Sequence, residues 1–195
     1  MWLRRIGGTL IAGGCVLNMI TIATVVVGSS DLQWIWIVPG ALVLISLGAI
    51  TLGVAGTKPI DGRAIRVGLG MLGVGLLSYL SGNVLPVREG SNNLQSWPHI
   101  ILLFGGVVII VLGFLVTIVS LVRAPGPSRA VGSVLFLGLL LFPIAGLLSA
   151  VWTDEPFRSI VTGLVVLGSS GIFLGLIGIG GLAIVGDRSG PVAVP

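Results

Sequence analysis

The sequence predicts an all-α polytopic membrane protein: a six-transmembrane helical bundle, read as three repeated helical hairpins. Three observations carry this. The 195 residues are 55% hydrophobic and only 8% charged, where a water-soluble domain carries about 25% charged residues. Six long runs, 6–27, 34–56, 67–87, 98–122, 130–152 and 159–186, contain no Asp, Glu, Lys or Arg. The charges fall between those runs. A helix needs about 20 apolar residues to cross the hydrocarbon core of a bilayer, and each run reaches that length. Backbone amides cannot be left unbonded in lipid, so each run must be a helix. A β-barrel would show alternating segments of about ten residues, and none is found. Residues 1–195 are expected to form one integral membrane domain, with 187–195 as a short tail.

The first run follows Arg4 and Arg5. AGGC at 12–15 resembles a lipoprotein cleavage site, but the apolar run continues unbroken to Val27. A signal peptide's apolar core would end near the cleavage point, so a spanning helix is expected, with Cys15 a small packing residue. The second run opens on Trp34 and Trp36, with Pro39 placed in the first turn, where a proline costs no hydrogen bond. In the third, GLGMLG at 68–73 matches GxGxxG. A dinucleotide loop needs a strand before it and an acid about twenty residues on; inside an apolar span the glycines are packing residues. The fourth run opens with Pro98 and His99, again with the proline read as first-turn. The fifth contains Pro143 deep in the span, which should bend the helix and makes it a candidate hinge. The sixth carries a helix-packing seam of Gly168, Gly171, Gly175 and Gly178. At about 100° per residue these lie in one stripe, the pattern of close helix contact in membranes.

Basic residues in short loops mark the cytoplasmic side. Arg4, Arg5, Lys58, Arg63, Arg66, Arg123, Arg129 and Arg188 fall at one set of ends, and Arg88 and Arg158 at the other. Both termini are therefore expected in the cytoplasm. Trp34, Trp36, Trp97 and Trp152 fall at the outer ends, where indole rings sit among headgroups. The arginines also reveal a repeat of about 60–65 residues. Gly14, Gly75 and Gly138 stand at one spacing from Arg5, Arg66 and Arg129, and Leu-Gly pairs recur at Gly48, Gly113 and Gly175. GSSDLQ at 28–33 parallels GSNNLQ at 90–95. All odd helices run outward, unlike inverted-repeat transporters, whose repeats run in opposite senses.

Reactive groups are scarce. No Asp, Glu, Lys, Arg or His lies mid-span, which argues against a proton relay or voltage sensor. One His and one Cys cannot build a metal centre, and no cofactor is implied. GSSG at 168–171 resembles the GxSG motif of rhomboid intramembrane proteases. That nucleophile needs a base in reach, and His99 lies at the outer edge of another span. The serines are expected to bond back to helix carbonyls instead. The candidate polar layer is Asn18 and Tyr79, with the apolar Phe142 at the equivalent position of the third repeat and Asn83 above them. Around a common axis they would form a layer at one depth.

These readings exclude nucleic acid, because the basic residues form no patch. They point to a non-enzymatic membrane protein acting through helix packing, as an accessory, assembly or envelope-associated subunit. Its partners would be the bilayer together with other membrane subunits or further copies of itself. The alternative is a channel or facilitator for a small neutral solute; an intramembrane enzyme ranks last. One lysine beside nine arginines suggests a GC-rich microbial genome, hence the plasma membrane of a bacterium or archaeon. A reporter fused after Arg188 should be active only in the cytoplasm; external activity would reverse the topology.

Overall fold

The computed structural model describes residues 2–26, 34–56, 62–84, 93–151 and 157–185. These form α1 (Trp2–Val26), α2 (Trp34–Ala55), α3 (Arg63–Val84), α4 (Asn93–Arg123), α5 (Pro127–Val151) and α6 (Phe157–Val185), and no strand occurs among them. All six helices are long and apolar enough to cross a membrane. Each packs on its neighbours in the chain, and α6 returns to pack on α1, so the bundle is a closed ring. The most extensive contacts are α3 with α4, α1 with α2 and α5 with α6; the least extensive is α4 with α5.

Two details differ from the sequence reading. Pro39 and Pro98 lie inside α2 and α4, not in their first turns. α4 begins a turn before its apolar run, at Asn93, while α2 begins with its run at Trp34; in both the proline falls beyond the first turn and removes the donor for one carbonyl, that of Ile35 or Leu94. The arginines placed in inner loops also belong to helices: Arg63 and Arg66 to α3, Arg123 to α4, Arg129 to α5. A positive charge at a helix N-terminus opposes the helix dipole. Long arginine stems let these helices start in the interface while the guanidinium reaches water. Arg4 gains something further. Its Nε donates to the carbonyl of Ala55 at 2.9 Å, so the start of α1 caps the end of α2. Gly56, at φ 77°, closes the same end by donating to Leu52 at 2.8 Å. This left-handed turn is one that glycine enters without penalty. α5 stays helical through Pro143, whose ring is exposed.

Glycines set how near the helices come. A β-carbon built on Gly48 would stand 2.7 Å from the carbonyl oxygen of Gly7, and one on Gly14 would stand 2.7 Å from that of Ala41. On Gly113 it would meet the Leu72 amide at 2.6 Å, and on Gly75 the Ile110 amide at 2.7 Å. On Gly138 it would meet the Ile172 amide at 2.5 Å, while Gly175 presses on Leu135. The three hairpins thus share their rungs: Ile11 on Gly48, Leu72 on Gly113, Leu135 on Gly175. One rung departs. Gly7 and Gly68 face α2 and α4 within their own hairpins, but Gly132 faces Leu121 and Val122 of α4. It lies one position past the equivalent site, and one residue turns a helix face by about 100°. Val131 takes that site and packs on Gly178, so here the small residue stands on the opposite helix.

The buried core sits at one end. Its contiguous cluster includes Ile11, Ile45, Leu52, Leu69, Leu72, Phe114, Leu121, Leu135, Leu176 and Ile179. Apart from Cys15, every member lies in the half of its helix nearer the arginine-bearing end. Gly113→Leu should cost about 1–3 kcal/mol, the usual range for overpacking, and Gly175→Leu should do the same. Gly40→Ala, with open space around the added carbon, should change stability by less than about 0.5 kcal/mol. Reversible unfolding in mild detergent measures all three, and equal tolerance would refute the rungs.

Candidate functional site

Beyond the aliphatic plug the ring opens into a cavity of about 380 Å³. Its floor is Ile45, Phe114 and Leu176 from the core cluster. Its walls include Leu42 of α2, Leu76 and Tyr79 of α3, Ile110 of α4, and Ile172 and Phe173 of α6. Three of the six phenylalanines of the chain, Phe114, Phe142 and Phe173, and its only tyrosine line this one space. Val107, Val111 and Phe142 are the exposed members of the lining. They mark a mouth between α4 and α5, the most weakly packed neighbours. These two helices meet near their short connection, where Gly132 abuts Leu121 and Val122. The mouth lies 12–16 residues from the arginine-bearing helix ends, about 18–24 Å at 1.5 Å per residue. It therefore faces hydrocarbon rather than water.

Of the polar layer expected from the sequence, Tyr79 and Phe142 meet at this cavity. Asn18 is buried at 4% exposure but is not part of the lining, and its Nδ2 has no hydrogen-bond partner among the described residues. Asn83 is exposed and donates to the carbonyl of Tyr79 at 2.9 Å, within its own helix. Of the residues that set the expected topology, Lys58, Arg88, Trp152 and Arg188 lie outside the described residues. The four seam glycines of α6 face α5. Gly168 abuts Phe142, Gly171 abuts Gly138, Gly175 abuts Leu135 and Gly178 abuts Val131. This seam holds one wall of the cavity beside its mouth.

Ser169 of α6 bonds back to its own helix, donating to the carbonyls of Val165 and Val166 at 2.9 and 3.0 Å. Two other serines join helices. Ser46 donates to the Gly73 carbonyl at 2.7 Å in a buried contact, and Ser78 donates to Leu102 at 3.0 Å. Ser46 escaped the sequence reading, because a lone serine in an apolar span looks the same whether it bonds within its helix or across to another. Among the described residues, no three of His, Cys, Asp and Glu come together. The geometry can admit an apolar group sideways from the bilayer.

The fold and site together define an integral membrane bundle, closed at its arginine-bearing end and open sideways to lipid in its middle. Compared with protein-family models, curated proteins and solved structures, the chain matches none of them.

Ser46→Ala should lower stability by about 0.6 kcal/mol, the mean for an interhelical hydrogen bond in a membrane protein. Asn18→Leu, which removes an unsatisfied buried amide, should leave stability unchanged or raise it by about 1 kcal/mol. The two variants separate under the same detergent unfolding titration.

Proposed function

We propose that this protein is a non-enzymatic membrane subunit that works by association within the bilayer, as an accessory or assembly factor. The observation that carries the proposal is the aliphatic plug. Ile11, Leu69, Leu72, Leu135 and Ile179 are at most 2% exposed and close the inner half of the ring. A polar solute entering the cavity would meet an almost wholly apolar lining, broken only at Tyr79 and Ser169, and give up most of its hydrogen bonds to water, a cost of several kcal/mol. The facilitator reading needs a continuous polar path, and the Tyr79–Phe142 layer supplies one hydroxyl. The recurring glycine rungs support the reading of the chain as one hairpin used three times. A protein with so little reactive chemistry has shape and packing to offer. The lateral mouth between α4 and α5 is where the ring itself packs least.

The test pairs two measurements. Reconstituted into liposomes, the protein should give urea and glycerol fluxes equal to those of empty liposomes, and Tyr79→Leu should change nothing. Purified in mild detergent from its own membranes, it should carry a stoichiometric membrane protein partner. A protein-dependent flux abolished by Tyr79→Leu would overturn the proposal in favour of a facilitator.

A further inference from the structure

Two grooves flank the inner end of α4. One, of about 470 Å³, runs between α3 and α4 and is lined by Gly62, Ala64, Ile65, Leu115, Val116, Val119, Ser120 and Arg123. The other, of about 560 Å³, runs between α4 and α5 and is lined by Ile118, Val119, Val122, Arg123, Ser133, Phe136 and Leu137. Arg123 and Val119 belong to both. Val119, 46% exposed, is the ridge between them, and Arg123 stands where they converge at the end of the helix.

The walls are almost wholly aliphatic, and each groove's serine hydroxyl is turned onto its own helix. Ser120 donates to Val116 at 2.7 Å and Ser133 to Arg129 at 3.0 Å. Each has its single proton committed to its own helix and none to donate to an anion. Arg123 is different: it is exposed, and it makes no hydrogen bond or ion pair to any described residue. A guanidinium offers a planar fork of donors matched to phosphate oxygens. Exposed Arg129 opens the adjoining helix and adds to the positive field.

We infer that Arg123 and its two flanking grooves form a binding site for one anionic diacyl phospholipid, the phosphate on Arg123 and one acyl chain on either side of Val119. The ligand class follows from the site's shape. One cation calls for one anion, and two apolar grooves leading from it call for two hydrocarbon chains. Both grooves run from the arginine-bearing end towards the bilayer interior, the direction acyl chains take from a headgroup. A single-chain amphiphile would leave one groove to bulk lipid, and a free phosphate would leave both.

Native mass spectrometry of the full chain in mild detergent tests this with dioleoyl phosphatidylglycerol, dioleoyl phosphatidylcholine and single-chain lysophosphatidylglycerol. The wild type should hold one phosphatidylglycerol about fivefold more tightly than phosphatidylcholine, the factor expected of one basic residue acting on an anionic lipid. Arg123→Gln should remove that preference. Arg5→Gln, which removes the same charge from the same end of the bundle, should leave it within twofold. Val116→Trp and Ser133→Trp each fill one groove and should weaken the two-chain lipid while sparing the one-chain lipid. Equal retention of the two diacyl lipids by the wild type would overturn the site. So would equal losses from Arg123→Gln and Arg5→Gln, binding of the one-chain lipid as tight as the two-chain, or displacement by millimolar inorganic phosphate.

Discussion

In hydrocarbon, a leucine gains little by leaving lipid for the flank of another helix, because both surroundings are apolar. Helices must instead be held by contacts short enough for dispersion to matter and by the few hydrogen bonds they can share. In this bundle the short contacts are glycine rungs. Gly7 with Gly48, Gly68 with Gly113, and Gly138 with Gly168 and Gly171 bring backbone against backbone. No β-carbon would fit between them without movement. The large side chains then fill what remains, which is why Ile11, Leu72 and Leu135 each lie over a glycine of the facing helix. Ser46 and Ser78 add direct links from α2 to α3 and from α3 to α4.

The rest of the architecture follows from where those rungs lie. Within each hairpin they draw two helices together, and α1 closes on α6 through Gly8 and Gly180. Between α4 and α5 the one glycine contact is Gly132, near the connecting turn. Nothing comparable holds the two helices together further out, where Val107, Val111 and Phe142 stand at the mouth of the cavity. The ring is therefore tight at its arginine-bearing end and parted at mid-depth on one side. This asymmetry makes a polar route through the axis costly and an apolar approach from the side easy.

Much of this was legible in the residues. Charge-free length identified the six helices, and their ends fell near the limits of the apolar runs. Arg5, Arg66 and Arg129 pointed to Gly14, Gly75 and Gly138, and these occupy matching contacts in the three hairpins. The depth match between Tyr79 and Phe142 pointed to the cavity, although Asn18 is packed away from it. Other features could not be read. Of the many glycines, Gly13, Gly40, Gly105 and Gly181 have open space where a side chain would be. Nothing in their local sequence separates them from Gly48 or Gly113. Pro98 was misplaced because an interfacial helix can begin before its apolar run does, and Pro39 because it already stood past the first turn of a helix starting at Trp34.

By itself the sequence determined the solvent, the number of crossings and the small residues available for close approach. Each of these depends on local composition: hydropathy over about twenty residues, or the lack of a side chain. Only the tertiary structure decided which apolar residues seal the plug, which line the cavity and which meet lipid. In a water-soluble protein, polarity separates inside from outside and leaves a periodic trace along each helix. Here both faces are apolar, so Leu76 in the cavity and Val74 in the lipid carry the same chemical mark, and only packing tells them apart.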